Sequence, residues 1–248
     1  MKKIILILSL LLTFPITALY GQSENEQDIS EKIREIEIHN QYSIRLKQIS
    51  ESEYTARKNE TEHLRHKPYK VITDISEVKK MLDKRKIHGK KIKITEYGIR
   101  EYIESDKQDE STGEMLWEGD FVAYYPEVHT LLFYCGAGID RPFDLNETEF
   151  DGAKSESLTG NPEYHAVSLD KKFRINGYVE MEPVKYFLEK WNPKKKKFEF
   201  VYFFNKSENA YSVFDYAGGW FWTSNSKVLF RYGWSESYQY YEMEIIKK

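Results

Sequence analysis

Three stretches of this chain, Phe121–Gly136, Tyr164–Gly177 and Trp220–Gly233, follow one plan. Each begins with apolar residues, turns at polar ones and returns as a second strand-like run that stops at Gly. Two strand-like runs joined by a short polar turn are the pattern of an antiparallel hairpin. The second and third stretches align without a gap, matching Ser168 with Ser224, Lys171 with Lys227 and Gly177 with Gly233, while the first needs a two-residue insertion. Between them, Val184–Trp191 and Phe198–Phe204 are two more runs of aromatic and branched residues, joined by Asn192-Pro193 and the four lysines Lys194–Lys197. That pair predicts the clearest hairpin in the chain, with both faces of its second strand covered.

The second and third units lie 56 residues apart and the first sits 43 before the second, and similarity at such a period is what β-propeller blades show. The Ser168-Leu-Asp-Lys-Lys-Phe173 turn resembles the Ser-Pro-Asp-Gly-Lys turn between such strands, although its Pro and Gly are absent here. The likeness covers Asp120 to Ile246 and implies either a partial propeller-like array or a β-sandwich of hairpins. The chain also resembles exported bacterial proteins built of such hairpins, a likeness that implies no activity. The expected fold class is mainly β, with antiparallel hairpin repeats preceded by a smaller α+β region.

That smaller region has a different texture. All five tryptophans lie at or beyond Trp117, whereas residues 22–114 are rich in Glu, Lys and Ile. Asp28 to Glu31 resembles a capping box, with Ile29, Ile33 and Ile36 at helical spacing. From there the period becomes two, and a strand is expected over Tyr42–Ile49. Ser50 should cap a helix near Glu51–Asn59. Asp74 or Ser76 should open another through Val78, Met81 and Leu82, ending at His88-Gly89. Ile92 and Ile94 resume alternation, and Ser105–Gly113 reads as a loop. The expected division is 1–21, 22–114 and 115–248, the last an aromatic-rich antiparallel domain.

Residues 1–21 have the grammar of a secretory signal. Lys2 and Lys3 form a positive start, Ile4–Leu12 an apolar run, and Pro15 a break before small Ala18 and Gly21, so cleavage is expected before Gln22. The apolar run is short for a membrane-spanning helix, which needs about 20 residues. An uncleaved N-terminal anchor is the alternative. The expected destination is therefore periplasmic or secreted, with no membrane span after cleavage. The whole sequence carries a net charge of −3, and losing Lys2 and Lys3 makes it more acidic. A binder of phosphate backbones should instead be basic over a domain, which argues against nucleic acid. The single cysteine, Cys135, rules out an internal disulfide, so burial and strand pairing must hold the fold.

Catalytic and metal-binding signatures are scattered residues rather than constellations. Cys135 and His129 fall in one proposed hairpin, but Cys135 ends an apolar strand and reads as a small buried hydrophobe. His165, Ser168 and Asp170 are close in sequence on a strand and its turn, without a Gly-x-Ser-x-Gly elbow. His63 and His66 lack an evident third ligand, and Asp140, Asp144, Glu147 and Glu149 read as a solvated acidic loop rather than a Ca²⁺ site. No cofactor is implied. The run Lys194–Lys197 could face an anionic partner, but reads better as a solvated tip that discourages edge pairing.

Aromatics make the stronger case. Trp220, Trp222, Trp234, Tyr238 and Tyr240 gather near the C-terminus, where flat amphipathic rings could hold a sugar or peptide, or simply fill the core. The function expected is a non-catalytic exported binding module for a protein, peptide or glycan. The alternative is a hydrolase whose site is assembled from residues distant in sequence.

Overall fold

The computed structural model describes residues 34–38, 41–87, 89–103, 112–136, 138–146, 159–179, 184–204, 213–214, 216–233 and 237–248, all within one unit, Ile33–Lys248. The expected signal, the capping box at Asp28–Glu31 and most of the Ser105–Gly113 loop lie outside them. In chain order the elements are β1 (Arg34–Ile38), β2 (Tyr42–Ile49), α1 (Glu51–Thr61), α2 (Ile75–Leu82), β3 (Lys86–Ile87), β4 (Lys90–Thr95), β5 (Gly98–Tyr102) and β6 (Thr112–Glu118). There follow β7 (Asp120–Tyr125), β8 (Thr130–Cys135), β9 (Ile139–Asp144), β10 (Ala166–Val167), β11 (Phe173–Val179), β12 (Val184–Asn192), β13 (Lys197–Phe203), β14 (Ala217–Trp222), β15 (Lys227–Tyr232) and β16 (Gln239–Lys247).

The fold is mainly β. Four antiparallel sheets carry the described residues, in the orders β1-β2-β16-β15-β14, β3-β4-β5-β6, β7-β8-β9 and β10-β11-β12-β13. They form no closed barrel or propeller ring. Three of the sheets are meanders of consecutive strands, as short hairpin turns require. The fourth joins the two ends of the described chain: β2 lies beside β16, with Ile44 opposite Ile245 and Leu46 opposite Met243. Among the described residues no helix is long and apolar enough to cross a membrane.

Both helices begin where side chains satisfy their first amides. Ser50 Oγ accepts from Glu53 N at 3.1 Å, and Asp74 Oδ1 accepts from Ser76 N at 2.8 Å. α1 is mostly polar and buries Tyr54 alone, while α2 buries Val78 and Leu82, one turn apart. α2 stops at Leu82, six residues before the expected His88-Gly89 terminus. The chain turns at Lys84, whose φ is 66°, and Lys84 N donates to Ile92 O at 2.8 Å, committing this backbone to the β3–β4 hairpin.

Two large apolar clusters fill the spaces between sheets. One joins the five-stranded sheet to β11 and β12 through Ile44, Leu46, Ile175, Leu188, Trp220, Phe230 and Met243. Within it Trp220 stacks on Phe230 at 4.5 Å between centroids, and Phe230 on Tyr241 at 5.4 Å. Each fully buried ring such as Phe230 contributes roughly 1.5–3 kcal/mol. The second cluster packs α2 and the strand residues Ile92, Ile94 and Ile99 against Tyr124, Leu131, Phe133 and Phe143.

Candidate functional site

The β12–β13 hairpin shows how local chemistry builds a surface. Asn192 Oδ1 accepts from Lys194 N at 2.9 Å and Lys195 N at 3.2 Å, which folds the tip, and Lys196 takes the left-handed conformation at φ 53°. The lysine run is thus an exposed turn, with Lys195 Nζ 2.8 Å from Glu199. In register, Trp191 lies opposite Phe198 and Glu189 opposite Phe200. The register then shifts between Leu188 and Glu189, so Tyr202 faces Leu188 and Val201 is the extra residue of a bulge.

Strand alternation places Trp191, Phe198 and Phe200 on the same face as Arg174, Asn176, Phe187 and Glu189. Phe200 is 44% exposed and Trp191 37%, so this face of β13 is open where covering on both faces was expected. β13 is the edge strand of its sheet, so no further strand flanks it to help cover that face. The rings are braced by neighbours on that same face. Trp191 and Phe198 meet edge to face at 5.3 Å, Phe187 lies 6.2 Å from Phe200, and the Arg174 guanidinium sits 4.3 Å over Phe198. Arg174 in turn donates through Nε to Glu189 Oε2 at 2.6 Å, which also accepts from Asn176 Nδ2 at 3.0 Å.

A groove of about 350 Å³ runs along the hairpin, lined in part by Tyr42, Lys190, Asn192 and Glu199 and also by Trp191 and Phe200. There Lys190 Nζ donates to the Tyr42 hydroxyl at 2.7 Å and lies 5.2 Å over a tyrosine ring, that of Tyr42 itself.

The scattered catalytic candidates take other roles. His129 sits at a left-handed turn before β8 and Cys135 ends that strand, so a strand about 20 Å long separates them. Ser168 is buried and staples its turn: its Oγ donates to Asp170 Oδ1 at 3.0 Å and accepts from Phe173 N at 2.9 Å. Burial opposes the charge on Asp170, but its hydrogen bonds with Lys172 and Ser168 hold its pKa below the usual range. Asp140 and Asp144 belong to β9 rather than to a solvated loop, while Glu147 and Glu149 lie outside the described residues. Asp140 is buried, accepting from Asn161 Nδ2 at 3.2 Å and Val179 N at 2.9 Å, and burial raises its pKa against those two bonds. Among the described residues no three His, Cys, Asp or Glu gather as metal ligands.

The aromatic residues singled out near the C-terminus divide between packing and surface. Trp220 is 8% exposed and Trp222 4%, both in the first apolar cluster, and Trp222 Nε1 donates to Ala166 O at 2.9 Å. Tyr240 packs on Tyr54 at 4.8 Å, Tyr238 lies under the Arg231 guanidinium at 4.4 Å, and both are half-buried. Trp234 lies outside the described residues. Trp191, Phe198 and Phe200 were not singled out beforehand, although the polar Asn192-Pro193-lysine tip beside them signalled an exposed hairpin end.

Compared with family models, with curated proteins and with solved structures, the chain matches none of them.

Proposed function

We propose that this chain is an exported, non-catalytic binding module that holds a glycan on the open face of the β11–β13 sheet. The observation that carries the reading is the pairing of two exposed large rings, Trp191 and Phe200, with braced neighbours on the same face. Flat rings stack on the C–H face of a sugar, and polar groups at the margin take its hydroxyls. Asn192 and the tip lysines supply such groups beside the rings. Bracing by Arg174 and Glu189 reduces the conformational entropy lost on binding.

We also read the four sheets as blades of an open, propeller-like array. The inclusion of β1 and β2 in the sheet of β14–β16 supports this, because tying the first strands to the last is a way to secure a row of otherwise separate meanders.

Affinity electrophoresis against chito-oligosaccharides and soluble peptidoglycan fragments tests the binding reading. The wild-type chain should be retarded by at least one of them. Trp191→Ala and Phe200→Ala should weaken retardation about tenfold or more while lowering the melting temperature by no more than about 4 °C. No retardation of the wild type, or retardation untouched by both substitutions, overturns it. For export, the chain expressed in a bacterium should be recovered outside the cytoplasm with its N-terminus near Gln22.

A further inference from the structure

Among the described residues, two buried side-chain polar atoms lack a hydrogen-bond partner, His165 Nε2 and Trp220 Nε1. Their residues line the same small cavity of about 50 Å³, together with Arg65, His66, Phe221 and Trp222. Buried polar groups are nearly always paired, so two orphans around one cavity need an account.

The chemistry of both orphans is fixed. An indole nitrogen is a donor only. For His165, Nδ1 lies 3.4 Å from Arg174 Nη1 and 3.2 Å from the Tyr69 hydroxyl. A guanidinium has no acceptor, so Nδ1 must accept and the ring proton resides on Nε2. Burial and the Arg174 charge hold the His165 pKa well below its ordinary value, and the Asn176 amide opposes them without closing a hydrogen bond to the ring. His165 is therefore a neutral Nε2–H donor near pH 7. Burial raises the Tyr186 phenol to a pKa of about 12, with the Trp220 indole drawing it back, yet Trp220 Nε1 completes no hydrogen bond.

The remaining polar lining adds positive charge. Arg65 is half-exposed at the surface, 6.0 Å over Phe221 and paired only loosely with Glu62 at 3.4 Å. Among the described residues no Asp or Glu lines the cavity. A water molecule brings two protons of its own that need acceptors, whereas a carboxylate only accepts and matches a donor-rich lining. We propose that this cavity binds a carboxylate group, either of a small free acid or at the end of a peptide. It is separate from the aromatic face of β12–β13 and does not depend on what that face binds.

The test is a two-dimensional nitrogen–proton spectrum of the full chain, following the Trp220 indole N–H. It is titrated with acetate, with a tripeptide bearing a free C-terminal carboxylate, with the same peptide as its amide, and with chloride at matched ionic strength. A saturable shift with acetate, or with the free-acid peptide alone, supports the site and tells the two sources apart. Arg65→Gln, at an exposed position, should weaken that binding about tenfold, while Trp191→Ala should leave it unchanged. A shift that fails to saturate with both acids, an equal response to chloride or to the amide, or full affinity in Arg65→Gln overturns the proposal.

Discussion

Arg174 Nε and Glu189 Oε2 lie 2.6 Å apart on neighbouring strands, on the same face as the exposed rings of the β12–β13 hairpin. Both side chains are largely withdrawn from water, and the remaining guanidinium face covers Phe198 at 4.3 Å. Removing one partner strands the other charge. Glu189→Ala should therefore destabilise the fold by about 3–5 kcal/mol, and Arg174→Met with Glu189→Leu should recover most of that loss. Urea unfolding of the two variants checks this. A single-variant cost below about 1 kcal/mol would show that the pair does not brace the sheet.

Trp222 and Trp191 should respond oppositely to truncation. Trp222 is enclosed by the first apolar cluster and donates to Ala166 O, so Trp222→Ala should cost about 3–5 kcal/mol. Trp191 is 37% exposed at the hairpin tip, and Trp191→Ala should cost about 1 kcal/mol or less. Equal losses in thermal or chemical denaturation would contradict the division between packing and presentation.

Acidification should weaken the fold first through His165. Its pKa in the folded chain is held well below the ordinary 6.5 by burial and then by Arg174. Below pH 6.5 the unfolded chain takes up this proton and the folded chain does not, so the stabilisation present above that pH is lost as pH falls. The slope from this group reaches at most about 1.4 kcal/mol per pH unit. His66, also lowered by burial and by Lys171, adds the same sign. Asp140 has the opposite sign, because burial raises its pKa and its contribution is lost as pH rises through the folded value. His165→Gln should flatten the stability–pH curve just below neutrality. Identical slopes for variant and wild type would refute the assignment.

Gly160 is required by space. A Cβ there would sit 1.8 Å from Asn176 Oδ1, and Asn176 is already held by its bonds to Glu189 and Gly177 N. Gly160→Ala should cost about 1–3 kcal/mol by displacing that amide. Combined with Asn176→Ala, the extra cost should shrink, which a double-mutant cycle would read directly.

Where local pattern governs, residues announced their elements. Tyr42–Ile49 is a strand with the bounds its alternation implies, and Ser50 and Asp74 cap helices as their side chains allow. The β12–β13 hairpin follows from two aromatic runs around Asn192-Pro193. The end of α2 was misjudged because the Val78–Leu82 periodicity says nothing of the hairpin claiming the backbone from Lys84 onward.

The candidate site was less legible. Tryptophan density pointed to the last strands, but Trp220 and Trp222 face a neighbouring sheet, and it is Trp191 and Phe200 that face solvent. Strand alternation sets which rings share a face, but the packing of one sheet on another decides which face is enclosed, and β13 lies at a sheet edge.

Local order is what the amino-acid string determined alone: strand-forming stretches, capped helix starts and a mainly β character, each set by side-chain periodicity within a few residues. Only the tertiary structure decided that β2 runs beside β16, which rings are enclosed, and that His165 and Trp220 share a cavity. Those relationships join residues far apart in the chain, and periodicity describes two faces of a strand without saying what either will meet.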